Sequence, residues 1–154
     1  MEDRLRGRVA VTVAVALLCA ASARAAVTKT MVIRLRSVTV ASSFKDALPK
    51  GPSKGDVYSG RFRLLNVVPQ FGRPAGAAVG TELSSLAIAS RATAVTHGVV
   101  SLPGGTITYG GRGRLGSGAP IPVLGGTGRF AGARGTLTVG SGASPLNTYR
   151  LTLP

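Results

Sequence analysis

Between Val123 and Val139 the chain reads VLGGTGRFAGARGTLTV, a glycine cluster that runs straight into an alternating, β-branched segment. Gly126, Gly128 and Ala131 match the G-x-G-x-x-A spacing of a dinucleotide-binding turn, which requires a strand before it and a helix opening at the last small residue. The surroundings argue against that assignment. Gly132, Gly135, Thr136 and Thr138 disfavour a following helix, and Ile121-Pro122-Val123-Leu124 is short and proline-broken for a central strand. The glycines therefore predict a tight connection between two strands, where positive φ or close backbone approach is needed.

The N-terminus sets a second constraint. Arg4, Arg6 and Arg8 precede an uncharged apolar run from Val9 to Ala23, and Ala23-Arg24-Ala25 follows as a small-residue cleavage pattern. This is the layout of a secretory signal peptide, and a run of about fifteen residues is short for a bilayer span. We expect a signal peptide over residues 1–25, cleaved near Ala25, and one domain over residues 26–154. The mature chain is then secreted or held in the cell envelope and has no transmembrane segment. Its only cysteine, Cys19, goes with the signal, so the domain must be held by core burial and hydrogen bonds.

The chain carries 19 Lys+Arg against 5 Asp+Glu. A basic excess of this size favours anionic surroundings such as wall polymers or acidic headgroups. The charges are scattered and there is no Trp for base stacking, which argues against a nucleic-acid site and for a solvated basic surface.

Beyond residue 26 strong helix formers are scarce, and apolar residues recur at every second position, an all-β pattern. Thr28 to Val40 reads as a strand with Met31, Ile33 and Leu35 on one face and Arg34 and Arg36 on the other. SSFKDALPKGPSKG (42–55) reads as a loop. Asp56 to Leu65 places Asp56, Tyr58, Phe62 and Leu64 together, so its core face carries a carboxylate. Further strands are expected near Ala78 to Leu83, Leu86 to Thr93, Thr96 to Leu102, Thr106 to Gly110, Gly135 to Val139 and Asn147 to Leu153, with GGRGRLGSG as a loop. Such short, regularly spaced strands make a meander sandwich or a closed barrel. Closure is favoured because pairing the last strand with the first removes two exposed edges. The expected fold is thus a closed antiparallel eight-stranded β-barrel, wide enough inside for packed side chains or one small ligand.

Several landmarks occur in a familiar order: Ser43-Phe44-Lys45-Asp46, Gly55-Asp56-Val57-Tyr58-Ser59, Val79-Gly80, Leu102-Pro103-Gly104-Gly105-Thr106-Ile107, and Gly125-Gly126-Thr127-Gly128-Arg129-Phe130 running into Ala133-Arg134-Gly135. This series resembles the allene oxide cyclase-like barrels, which include the plant dirigent proteins and bacterial exported relatives. The resemblance implies an eight-stranded barrel, often oligomeric as a trimer or dimer. It also implies a hydrophobic cavity that binds a small organic molecule and directs a cyclisation or coupling with no redox cofactor. The chain departs from the dirigent pattern at two acidic positions, where it has Ser59 and Arg129; the arginine of the ARG element is kept as Arg134. An arginine cannot accept a proton as a carboxylate would.

The ligand-binding candidates are Asp56, Tyr58, Glu82, Tyr109, Arg134 and Tyr149; no residue is assigned a catalytic role. Asp56 is either a cavity carboxylate or a strand-start residue accepting backbone N–H bonds. Arg134 either binds an anionic ligand or pairs with Asp56 or Glu82. The tyrosines are pocket walls or core aromatics. His97 stands alone, so no metal site is expected, and no nucleophile elbow accompanies it. Two functions follow: a barrel that binds a hydrophobic small molecule and assists its isomerisation or cyclisation, or a non-catalytic basic module of the cell envelope.

Overall fold

The computed structural model describes residues 28–51, 53–116 and 118–154. The expected signal peptide and its cleavage site lie outside the described residues. Eight strands follow one another: β1 (Lys29–Lys45), β2 (Val57–Asn66), β3 (Ala78–Ser90), β4 (Thr93–Leu102), β5 (Gly105–Arg114), β6 (Ile121–Gly126), β7 (Arg134–Val139) and β8 (Leu146–Leu153). Each pairs with the next in an antiparallel meander, and β8 returns to β1 in the register Lys29↔Leu153 to Arg36↔Leu146, closing the barrel. No edge is left unpaired, which is the physical gain expected from closure.

The strands differ in their division from the sequence expectation. Ala78 to Ser90 is one strand, because Ser84 and Ser85 pair through with β2 and β4 and do not make a turn. Ile121–Gly126 is a strand despite Pro122. Its pairing with β5 begins only at Val123↔Tyr109, so proline's missing N–H removes no ladder bond on that side. Ser42 to Lys45, expected in a loop, continue β1 against Val57 to Gly60. Gly110 to Arg114 likewise extend β5 along β4.

The interior is divided along the barrel axis. Toward the end where β1 begins and β8 finishes, Ile33, Leu35, Leu64, Ile107, Leu137 and Leu151 pack into a solid core. Phe130, fully buried on the one-turn 3-10 helix Gly128–Phe130, closes that end. The glycine cluster makes this plug fit. Gly128 has φ 57°, in the left-handed region, and a methyl at Gly126 would overlap the carbonyl oxygens of Thr106 and Phe130. Close approach and positive φ, as the sequence suggests, account for these glycines.

Candidate functional site

Toward the other end the inward-facing side chains become small or hydroxylic, and the core gives way to a cavity. Ser37 and Thr39 continue the inward face of β1 past Leu35; Ser84 does so on β3, and Thr96 on β4. With Phe44, Tyr58 and Phe62 they line a lumen of about 760 Å³. That lies within the roughly 300–1,000 Å³ typical of small-molecule sites. A second concavity of about 450 Å³, against Arg61, Leu83, His97 and Val99 on the outer wall, has no buried polar group in its lining. The lumen is therefore the chemically equipped site.

Its floor is a polar cluster set on the hydrophobic core. Glu82 projects from β3 and is 4% exposed. The Tyr109 hydroxyl donates to Glu82 Oε1. Ser37 Oγ donates to Oε2 at 3.3 Å, and Asn147 Nδ2 reaches Ser37 Oγ at 2.9 Å and Glu82 Oε2 at 3.4 Å. Burial raises the Glu82 pKa above the usual carboxylate range, against the opposing pull of the bonds from Tyr109 and Ser37. Burial, then the Glu82 charge, pushes the Tyr109 hydroxyl far up, so it remains a proton donor. The group can thus hold a proton where an exposed glutamate has lost it.

The register explains how a β5 tyrosine reaches a β3 glutamate across the intervening strand. Gly98 of β4 pairs with Ser84 on one side and with Tyr109 on the other. The Tyr109 ring lies on the bare Gly98 backbone, where any Cβ would overlap the ring and its hydroxyl. A glycine inside a strand often marks such a close approach.

Of the six candidates, Tyr58, Glu82 and Tyr109 line the lumen. Tyr58 stands at the open end, stacked on Phe44 with centroids 4.4 Å apart. Tyr149 lies beneath, fully buried, tilted against Tyr109 at 6.4 Å. Burial and the Glu82 charge raise its pKa well above normal. Its hydroxyl lies beside the Asn147 amide, yet neither it nor Asn147 Oδ1 completes a hydrogen bond of good geometry.

Asp56 and Arg134 do not join this group. Asp56 accepts from Ser53 N at 2.8 Å, Ala47 N at 2.9 Å and Ser53 Oγ at 3.1 Å, and those bonds, the Ser53 backbone first, lower its pKa. It organises the loop between β1 and β2. Arg134 is exposed and donates from Nη1 to the carbonyls of Leu124 and Ala133 at 2.7 and 2.9 Å. Outward alternation on β7 points it away from the lumen, so of the two alternatives for Arg134 neither pairing with Asp56 or Glu82 nor contact with a guest in the lumen is formed. Arg129 sits over the rings of Phe71 and Phe130 at the closed end, 5.6 and 5.5 Å from their centroids. Ser59 lies in the lining at the open end.

Ser37 and Asn147 were not among the candidates. Strict alternation continued two positions beyond Leu35 or before Tyr149 reaches both. Among the described residues no cluster of three His, Cys, Asp or Glu is placed to hold a metal.

No protein-family model matches the sequence, and no curated protein matches it significantly. Solved structures do. A pyocyanin demethylase superposes with a TM-score of 0.66 at 19% identity, over 79% of this chain and 99% of that one. An exo-specific intermolecular Diels-Alderase gives 0.60 at 14%, over 81% and 98%. A pterocarpan synthase dirigent protein gives 0.58 at 17%, over 82% and 86%. The chain therefore has the fold of the cyclase and dirigent-protein barrels: a closed eight-stranded antiparallel barrel with a lumen open over one half.

Proposed function

We propose that this protein binds a hydrophobic small molecule in its lumen and directs a cyclisation or isomerisation of it, as an exported member of the allene oxide cyclase-like barrels. One observation carries the reading: a cavity of ligand size ends on a single buried carboxyl held by Tyr109, Ser37 and Asn147. The aromatic rings at the open end offer apolar faces to a ring or polyene. At the floor, protonated Glu82 hydrogen-bonds a carbonyl or ether oxygen of the guest and stabilises negative charge that develops there. Ionised, it takes a proton from a carbon or hydroxyl at the same place. The rigid strands fix the guest's folded shape, so the ring closes on one face. The cyclase and dirigent neighbours support this class of chemistry on this scaffold.

The test uses a panel of neutral phenols and conjugated polyenes, with melting temperature and chiral chromatography as readouts. A stabilising shift with enantiomeric excess over the buffer reaction, abolished by Ser84→Trp and reduced at least about 100-fold in rate by Glu82→Gln, is the expected result. No shift and racemic product across the panel overturns the proposal.

A further inference from the structure

At the open end of the barrel, exposed basic residues and exposed leucines stand together on the connecting loops. The loop between β1 and β2 carries Leu48, 84% exposed, with Lys50 and Lys54, and Lys45 stands at the end of β1. Leu115 follows β5 in the adjoining loop, 39% exposed, with Arg112 at the end of that strand, and Arg91 occupies the turn between β3 and β4. Of the acids at this end, Asp46 alone faces solvent; Asp56 is fully buried under its three donors. On the barrel wall the exposed Val38, Val40 and Leu83 are held within the sheet. Toward the end closed by Phe130 the exposed large apolar side chains are Leu124, held within β6, and Val68 in the loop after β2.

We propose that the open end docks on an anionic bilayer, with Lys50, Lys54 and Arg91 against the headgroups and Leu48 and Leu115 in the interface, so that a hydrophobic guest passes from lipid into the lumen. The guest clause rests on the function proposed above; the docking does not. Charge draws a basic protein to an acidic surface within about 10 Å, and the apolar tips decide which face meets it. A soluble polyanion needs only the cations and gives no role to two solvent-exposed leucines at the rim. The lumen has a neighbour at this rim. A cleft of about 250 Å³ beneath the loop between β5 and β6 touches Leu115 and shares Leu86, Thr96, Ile121 and Val139 with the lumen. No described helix is long and apolar enough to cross a membrane.

The test is sedimentation of the protein with phosphatidylcholine vesicles, with and without a minority of phosphatidylglycerol, at low and high salt. The expected result is binding to the anionic vesicles only, weakened by salt. Replacing Lys50, Lys54 and Arg91 by Ser lowers it by about tenfold or more. Leu48→Ser with Leu115→Ser lowers it about fivefold. Arg34→Ser with Arg36→Ser, on the wall, leaves it nearly unchanged. Because the chain has no Trp, Leu48→Trp is a unique reporter, and its emission shifts to the blue on anionic vesicles. Indifference to lipid charge overturns the proposal. So does a leucine variant that binds as well as the parent while soluble polyphosphate displaces both, since the partner is then an anionic polymer. A wall variant as impaired as the rim variant also overturns it. Binding of 1-naphthol, measured without vesicles, separates the two proposals: binding that persists while docking fails leaves the lumen's function standing, and loss of naphthol binding leaves the docking standing.

Discussion

Glu82 and Asp56 are both buried carboxyls, and their surroundings drive them in opposite directions. Glu82 lies in a low-dielectric lumen with donors that only partly offset desolvation, so folding raises its pKa. A group of this kind contributes fully to stability below its unfolded value of about 4.3, and the contribution is lost as pH rises through the folded value. Glu82→Gln should therefore melt higher than the parent at pH about 8 and lose that advantage below pH about 4. Differential scanning calorimetry across that range checks it; a constant offset would contradict the assignment. Asp56 is the reverse case, with backbone donors that stabilise its charge. Its contribution is present above the unfolded value of about 3.9 and disappears as pH falls below it. Asp56→Asn should lower the melting temperature by several degrees at neutral pH, and the gap should close on acidification. Alternation leaves Asp56 as either a cavity carboxylate or a strand-start residue accepting backbone N–H bonds. The structure has the second arrangement, with three donors from residues 47 and 53 converging on it, a convergence that depends on the path of the loop.

At the scale of strands, the device that matters is the passage of Tyr109 over Gly98 to Glu82. Gly98→Ala pushes the ring off β4 and lengthens or breaks the hydrogen bond to Glu82 without altering any hydrogen-bonding side chain. That bond pulls the Glu82 pKa down, so its loss raises the pKa further. We expect Gly98→Ala and Tyr109→Phe both to move the limb of the rate profile that Glu82 controls, ascending where it acts as base and descending where it acts as acid, toward higher pH. A change in overall stability alone would leave the profile in place. The elements themselves were partly legible. Alternation located the strands, and the glycine cluster announced a tight connection ahead of β7. The count of eight nevertheless rests on a different division, since the sequence pattern breaks β3 at Ser84-Ser85 and the proline hides β6. Serines mark turns as readily as they mark a hydrophilic lumen, and proline is tolerated where the strand on one side has not yet joined. Neither distinction is local.

For the whole molecule, stability and function occupy opposite halves of one barrel. Ile107 is fully buried in the closed half, and Ile107→Ala should cost about 2–5 kcal/mol by chemical denaturation. Phe62 faces the open lumen, so Phe62→Ala enlarges an existing cavity and should cost distinctly less while changing which guests bind. Equal costs would mean that the lumen collapses in solution. The sequence by itself determined the all-β class and the inward faces of most strands, because pleating ties side-chain direction to position and every second residue declares its side. The basic excess and the tight glycine connection ahead of β7 were legible in the same way. That Glu82, Tyr109, Ser37 and Asn147 meet, while Arg134 and Asp56 stay apart, follows from the closed fold alone. Those partners lie up to 110 residues apart in the chain, and their encounter depends on the register of eight strands around a closed circle. A shift of one residue in any pairing would turn a whole face outward.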